Sequence, residues 1–362
     1  MCGRGACTLS AERCRRVAGC RTRDKVRGSA RLRPRYNMGP QNYVPVIRHA
    51  SSASNAPGSS KLSDCDGGCR EVSVMRWGLV PSFAKRAEDF DVFKGGSSTF
   101  NTRVEGAEAS GLWRRLLDKR RCVVLFDGFY EWKAVGKGKV PMFIRHKNEY
   151  EERSIALQAS PNSVPGSPCK AILPETLAMD MPPRVDKECS DGPRHAPLLL
   201  AGLYDVWQAP TSGTEAEEAQ ETVSILTMDP DGTPMTAVHD RMPVFLTPET
   251  AALWLEPSAR WADILREVLQ VSQAHAKSQL LLYEVSTLVS NIRNESPDCL
   301  LPKKDYDARQ LSKGIGRFFQ RKSGTSGGLA SPAAVPDAED KAKAKRQAEE
   351  SIAPPPKVIC LD

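Results

Sequence analysis

Apolar residues in this 362-residue chain come in short runs, at 44–47, 72–80, 122–126, 142–144, 198–203, 222–227 and 244–246, each closed off by Pro, Gly or a charged cluster. Runs of that length, rich in Val, Ile, Leu and Phe, suit strands better than helices. Helical spacing is expected only at 111–119 and 247–271, the second opened by Thr247-Pro248-Glu249-Thr250, which has the chemistry of a helix start. The expected fold class is α+β, mainly β, with a few helices.

The strand-like runs continue across three Ser/Pro/Gly-rich or acidic interruptions at about 50–68, 160–194 and 209–221, with no internal repeat. These read as surface loops inserted into one domain spanning 2–302. From 303 to 362 the composition shifts to Lys, Ser, Gly, Ala and Pro, and the tail is expected to be disordered. Two apolar islands interrupt it. Ile315, Phe318 and Phe319, in the stretch 312–319, resemble a sliding-clamp (PCNA) binding motif, although Ser312 stands where such motifs carry glutamine. Val358, Ile359 and Leu361, in the stretch 358–362, resemble a SUMO-interacting strand that adds to a sheet edge.

No apolar run approaches the roughly 20 residues that span a bilayer, and the N-terminal stretch has no hydrophobic core of a secretory signal. The expectation is a soluble intracellular protein without a membrane partner. Eleven cysteines at irregular spacing, with no C-x-x-C pair, suggest neither a disulfide framework nor a zinc ribbon. Cys65, Cys69 and His49 stand in a Ser/Gly-rich neighbourhood that argues against a metal site, so no metal or cofactor is expected. The net charge of +7 is unevenly spread: arginines crowd residues 4–35 against only Glu12 and Asp24. A basic region of this kind suits either a phosphate backbone or a solvated face.

Chemistry concentrates in a few short segments. Removal of Met1 ahead of a small side chain would leave Cys2 as a 1,2-aminothiol, with an α-amine near pKa ~7.7 beside a thiol near ~8.5. Such a pair captures aldehydes: the amine condenses to a Schiff base, and the tethered thiolate closes a thiazolidine ring. In Phe100-Asn101-Thr102-Arg103, extended backbone would put Asn101 and Arg103 on one face, an amide to hold the amine and a guanidinium to grip phosphate. Gly128-Phe129-Tyr130-Glu131-Trp132 sets a carboxylate among aromatics, where burial would raise its pKa toward neutrality. His239 and Arg241, two residues apart, add an imidazole and a second guanidinium.

These segments, with Met1-Cys2-Gly3-Arg4, Tyr36-Asn37, Pro40, Met75-Arg76-Trp77-Gly78-Leu79-Val80-Pro81, Ala201-Gly202-Leu203 and His239-Asp240-Arg241-Met242-Pro243, occur in an order that resembles the SRAP family, the SOS-response-associated peptidases, over about residues 2–302. The resemblance implies curved antiparallel sheets forming a barrel-like domain. It implies that the mature Cys2 crosslinks to the aldehyde of an abasic site in single-stranded DNA and shields it. Asn101 would position the amine, Glu131 would shuttle protons and His239 would assist ring opening. Arg103 and Arg241 would hold phosphates, Trp77 and Trp132 would offer faces to the lesion, and Arg4 and Pro40 would line the same groove. It further implies autocatalytic removal of the residue before Cys2, residence in the nucleus at chromatin and replication forks, and removal of the crosslink by ubiquitin-proteasome machinery. Gln41-Asn42-Tyr43 and Tyr204-Asp205 depart from the family pattern. Two other functions remain open at this point. One is a cysteine peptidase using His239 as base, and the other is a non-catalytic reader of modified cytosine in DNA.

Overall fold

A computed structural model describes residues 3–20, 25–50, 70–147, 196–209 and 219–312. The chain divides into two units, 1–308 and 309–362. The strands in the first unit are β1 (Gly5–Cys7), β2 (Arg35–Met38), β3 (Tyr43–His49), β4 (Arg70–Trp77), β5 (Asn101–Arg103), β6 (Arg121–Phe126), β7 (Gly128–Val135), β8 (Gly138–His146), β9 (Leu198–Trp207), β10 (Gln220–Met228), β11 (Met242–Pro243), β12 (Phe245–Leu246) and β13 (Leu280–Glu284). The helices are α1 (Ala11–Ala18), α2 (Val104–Ala107), α3 (Gly111–Arg114), α4 (Pro248–Leu255) and α5 (Trp261–Gln279). Every apolar run of the sequence overlaps one of these strands, so the mainly β, α+β class holds.

Five strands close on themselves. β3 pairs with β4 and β6, β6 with β9, β9 with β10, and β10 returns to β4. Closure removes exposed edges, and Val46, Met75, Val124, Leu200 and Ile225, which share one face by register, fill the interior and are all fully buried. The sheets are not wholly antiparallel as expected. β10 runs parallel to β4 at Thr222–Val223 and parallel to β5 at Ile225–Thr227. The two short ladders are halves of one edge, interrupted after Trp77. Gly78 leaves the ladder at φ 118°, a conformation that disfavours any side chain, and the chain rejoins it at Phe100, whose carbonyl accepts from the Ile225 amide. The neck of this excursion is fastened where Thr99 Oγ1 donates to the Leu79 carbonyl at 2.7 Å.

A second sheet of order β13-β8-β7-β1-β2 covers the barrel. Alternation along β7 divides its side chains between two layers. Phe129 joins the main core with Ile144 and Met38, whereas Tyr130 joins a smaller cluster with Ala6, Phe143, Val285, Val289 and Cys299. Glu131 follows Phe129 on the barrel side and is 4% exposed.

Four expectations change. The helical pattern over 247–271 is two helices, because Glu256 before Pro257 is extended at ψ 116° and ends α4. The pattern over 111–119 gives only the short α3. Of the arginine-rich beginning, residues 11–18 form α1, capped by Ser10 and Gly19, with Arg13, Cys14 and Val17 buried, so this stretch is not an open basic face. In the tail, residues 303–312 are helical, with Lys303 and Asp307 paired at 2.7 Å one turn apart, so its first ten residues carry structure. Within the second unit, Ser312 Oγ donates to the Arg309 carbonyl at 2.9 Å. The clamp-like and SUMO-like islands, most of the interruptions at 50–68 and 209–221, and all of 160–194 lie outside the described residues. None of the described helices is long and apolar enough to cross a membrane.

Candidate functional site

β1 brings the start of the chain to the candidate carboxylate. Gly5 pairs with Phe129 and Ala6 with Gly128, and the Tyr130 amide donates to the Arg4 carbonyl at 2.9 Å. Continuing that antiparallel register sets Gly3 across from Glu131. Cys2, bonded to Gly3, lies outside the described residues. Burial raises the Glu131 carboxyl to about pKa 7, with the charge of Asp240 adding to the effect.

His239 reaches the same place from the other side of the barrel. Its Nε2 stands 3.8 Å from Glu131 Oε2, and its ring is about one-quarter exposed. Two groups compete for Nδ1. The Arg241 amide donates to it at 3.1 Å, and Asp240 Oδ1 lies 2.7 Å away. The first contact requires a bare Nδ1 and the second a protonated one. Burial lowers the His239 pKa below its ordinary value, which favours the neutral ring, an imidazole with one bare and one protonated nitrogen.

β10 gathers the remaining polar residues. Asn101 pairs with Ile225 and Arg103 with Thr227, while β11 pairs with Thr227 and Met228 and so brings the preceding His239–Arg241 turn to the same end. Along β5, Asn101 is half-buried, Thr102 is buried and Arg103 is exposed. Asn101 and Arg103 therefore share one face, that of their partners Ile225 and Thr227, while Thr102 meets Ser224 on the opposite face at 2.8 Å. Arg241 is held by a two-pronged pair with Glu105, at 2.9 and 2.8 Å, and by the Thr227 carbonyl at 2.7 Å. That pairing and hydrogen bonding pull the Glu105 pKa below its ordinary value against the opposing effect of burial.

Of the expected DNA contacts, Trp77 and Pro40 are buried, and Arg4 and Trp132 are half-buried. Trp77 is 0% exposed: its Nε1 donates to the Phe100 carbonyl at 3.0 Å and its ring meets Phe100 and Phe126 edge-on. It offers no face to DNA, because β4 turns it into the barrel. Pro40 is buried beneath the turn that follows β2. Arg4 donates from Nη1 to Asn37 Oδ1 and to the Val289 carbonyl, both at 2.8 Å, and lies over the half-buried Trp132 ring at 5.4 Å from its centre. Arg4 and Asn37 thus brace β1 and β2 against the 285–300 segment, since Asn37 Nδ2 also donates to the Val289, Asn291 and Asn294 carbonyls. Sequence reasoning missed Glu105 and Asp240. The only sign of either was its adjacency in the chain to an arginine or histidine already singled out.

Among the described residues no group of three or more His, Cys, Asp or Glu is placed to hold a metal ion. The arrangement is a buried acid and an imidazole at the end of a barrel, next to the entry of the first strand, with Arg103 exposed at its rim.

The profile of the SOS response associated peptidase (SRAP) family matches residues 1–292. The chain is 32% identical over 317 residues to the abasic site processing protein HMCES of Gallus gallus, covering 83% of this chain and 78% of that one. It is 27% identical over 269 residues to the abasic site processing protein YoqW of Bacillus subtilis, covering 74% and 85%. A crystal structure of a protein from Bacteroides thetaiotaomicron superposes with a TM-score of 0.51 at 20% identity, covering 83% of this chain and 99% of that one, which supports the fold alone. The family match spans the barrel, the covering sheet and the end that carries Glu131 and His239, and the chain belongs to the SRAP family.

Proposed function

We propose that this protein processes abasic sites, as the names of its relatives say of them, that it does so in single-stranded DNA, and that it acts by a covalent crosslink through Cys2 after removal of Met1. The observation that carries this reading is the position of Glu131. It is a buried carboxyl with a pKa of about 7, across the β1–β7 ladder from Gly3 and 3.8 Å from an imidazole. A group that is half-protonated at neutral pH both gives and takes protons, which is what imine formation and its reversal require.

The steps balance as follows. The Cys2 amine adds to the ring-opened sugar aldehyde, giving a carbinolamine. Glu131 protonates the departing hydroxyl, and water leaves as the C=N bond forms. The Cys2 thiolate then adds to that carbon, the nitrogen takes a proton, and a thiazolidine closes. The net change is protein plus DNA minus one water. Asn101 orients the amine, and His239 passes a proton to the sugar oxygen as the ring opens. Arg103, exposed at the rim, meets a phosphate, and Arg241 does so when Glu105 releases it. Removal of Met1 by this same cleft accords with the peptidase name of the family. Residence in the nucleus follows from a DNA substrate and is part of the same proposal.

The test is intact-mass analysis of protein mixed with a single-stranded oligonucleotide carrying one abasic site, beside protein whose α-amine is blocked. The expected product is a heat-stable adduct of protein lacking Met1 plus DNA minus one water, absent from the blocked sample. No adduct from protein confirmed to begin at Cys2 would reject the mechanism.

A further inference from the structure

Asp240 takes no part in the crosslinking steps, yet it sits against the proton pair that carries them. Its side chain is 82% exposed, so water could satisfy it, but its Oδ1 stands 2.7 Å from His239 Nδ1. The Arg241 amide reaches the same nitrogen at 3.1 Å. One ring nitrogen therefore has a donor and an acceptor within reach, and its own protonation decides which of the two it can use.

While Nδ1 is bare, it accepts from the Arg241 amide. Once the ring is charged both nitrogens carry hydrogen, Nδ1 and the amide become two donors facing each other, and that bond is lost. Asp240 Oδ1 is then the acceptor in reach, and a carboxylate holds an imidazolium N–H more strongly than a neutral acceptor does. The other charges that face His239 are Glu131 on β7 at 3.8 Å, Lys139 on β8 and the α-ammonium of the chain. Lys139 and the α-ammonium act with burial against the charged ring, and Asp240 acts for it. The Arg241 guanidinium is engaged by Glu105 and the Thr227 carbonyl.

We propose that Asp240 is a positioning residue that takes over Nδ1 from the Arg241 amide when His239 is charged, and so holds the imidazolium with its Nε2–H on the side of Glu131. The inference rests on the reading that Glu131 and His239 act on the closed sugar of an abasic site. In that ring the C1′ hydroxyl gives its proton to the Glu131 carboxylate. The C1′–O4′ bond breaks as the C1′ carbonyl forms, and O4′ takes the Nε2 proton of His239. Charge balances, because a carboxylate and an imidazolium become a carboxyl and an imidazole. A neutral imidazole could make the second transfer only by becoming an anion, so the charged ring is the form this step needs. Glu131 is left protonated for the later loss of water, and Nδ1 returns to the Arg241 amide.

The test compares full-length wild-type protein beginning at Cys2 with Asp240→Asn, which keeps the shape and removes the charge. Nitrogen NMR of 15N-histidine-labelled protein follows the ring directly. The chain has 5 histidines, and burial puts His146 and His275 at pKa values of about 3 and about 4, below the range titrated. His239→Gln identifies the His239 signal among the rest. In Asp240→Asn the His239 titration is expected to move to lower pH. Adduct formation at saturating abasic single-stranded DNA should slow about three- to fivefold at neutral pH, the range for an exposed charge pair. Because Asp240 favours the protonated forms of both His239 and Glu131, the pH–rate profile should shift toward acid, which a defect of folding would not produce. An unchanged His239 titration, or a rate loss that is the same at every pH, overturns the proposal. If the titration shifts but wild type forms no adduct, Asp240 stands as the partner of the charged ring and the crosslinking mechanism fails, so the two failures are distinguishable.

Discussion

His239 Nε2 stands 3.8 Å from Glu131 Oε2, one carried by the turn before β11 and the other by β7. That gap is too long for a hydrogen bond and short enough for each group to feel the charge of the other. The other ring nitrogen, Nδ1, meets the Arg241 amide at 3.1 Å and Asp240 Oδ1 at 2.7 Å. A water or a substrate oxygen between them would have an imidazole nitrogen on one side and a carboxyl group on the other.

Replacing Glu131 with Gln keeps the shape and removes the titration. Adduct formation by wild-type protein should show a step near pH 7, where this carboxyl titrates. Glu131→Gln should lose the step and slow formation by roughly 100-fold, the lower range for general acid–base catalysis. Single-turnover rates between pH 5.5 and 9 decide it. A variant with the wild-type profile would remove Glu131 from the proton traffic.

The same group makes a stability prediction of definite sign. The folded pKa of about 7 lies above the unfolded value, so the folded protein binds the proton more tightly between them. The contribution of Glu131 to stability is complete below about pH 4.3 and is lost as pH rises through 7. Urea unfolding at pH 5 and pH 8 should show wild type losing about 2 kcal/mol relative to Glu131→Gln over that interval. A constant difference between the two proteins would mean that the carboxyl is not buried as the structure shows.

Parts of this architecture were legible in the sequence for a physical reason. β3, β6, β9 and β10 are buried on the barrel's inner side and packed on the other, and so they read as apolar runs. β1 and β2 were not legible: they are three and four residues long, and Arg35 and Asn37 give the second no apolar signature. Their pairing with β7 is decided by partners distant in the chain. Glu131 and Asn101 were readable, because their surroundings follow from strand alternation. Trp77 was misread, since an aromatic residue between Arg76 and Gly78 looks alike whether it faces a base or a core. Which face of β4 turns inward is settled only when the barrel closes.

Trp77→Ala distinguishes those two roles. Deleting a fully buried indole that packs on Phe100 and Phe126 should cost about 3–5 kcal/mol and lower the midpoint of urea unfolding. Affinity for single-stranded DNA, measured well below that midpoint, should remain within about twofold of wild type. A stable variant with weak DNA binding would return Trp77 to the interface.

Glu105 and Arg241 supply the last prediction. The carboxylate occupies two prongs of a guanidinium that would otherwise meet phosphate, and it adds a negative charge near Arg103. DNA has to displace or tolerate that charge. Glu105→Gln should therefore tighten binding to single-stranded DNA by several-fold at about 50 mM salt, with the advantage shrinking as salt rises. Arg103→Glu should act in the opposite direction and flatten the salt dependence by removing a phosphate contact. Anisotropy titrations at three salt concentrations report both. If Glu105→Gln weakens binding instead, the Glu105 pair is what holds Arg241 in its binding posture, and its function is to orient Arg241 rather than to restrain it.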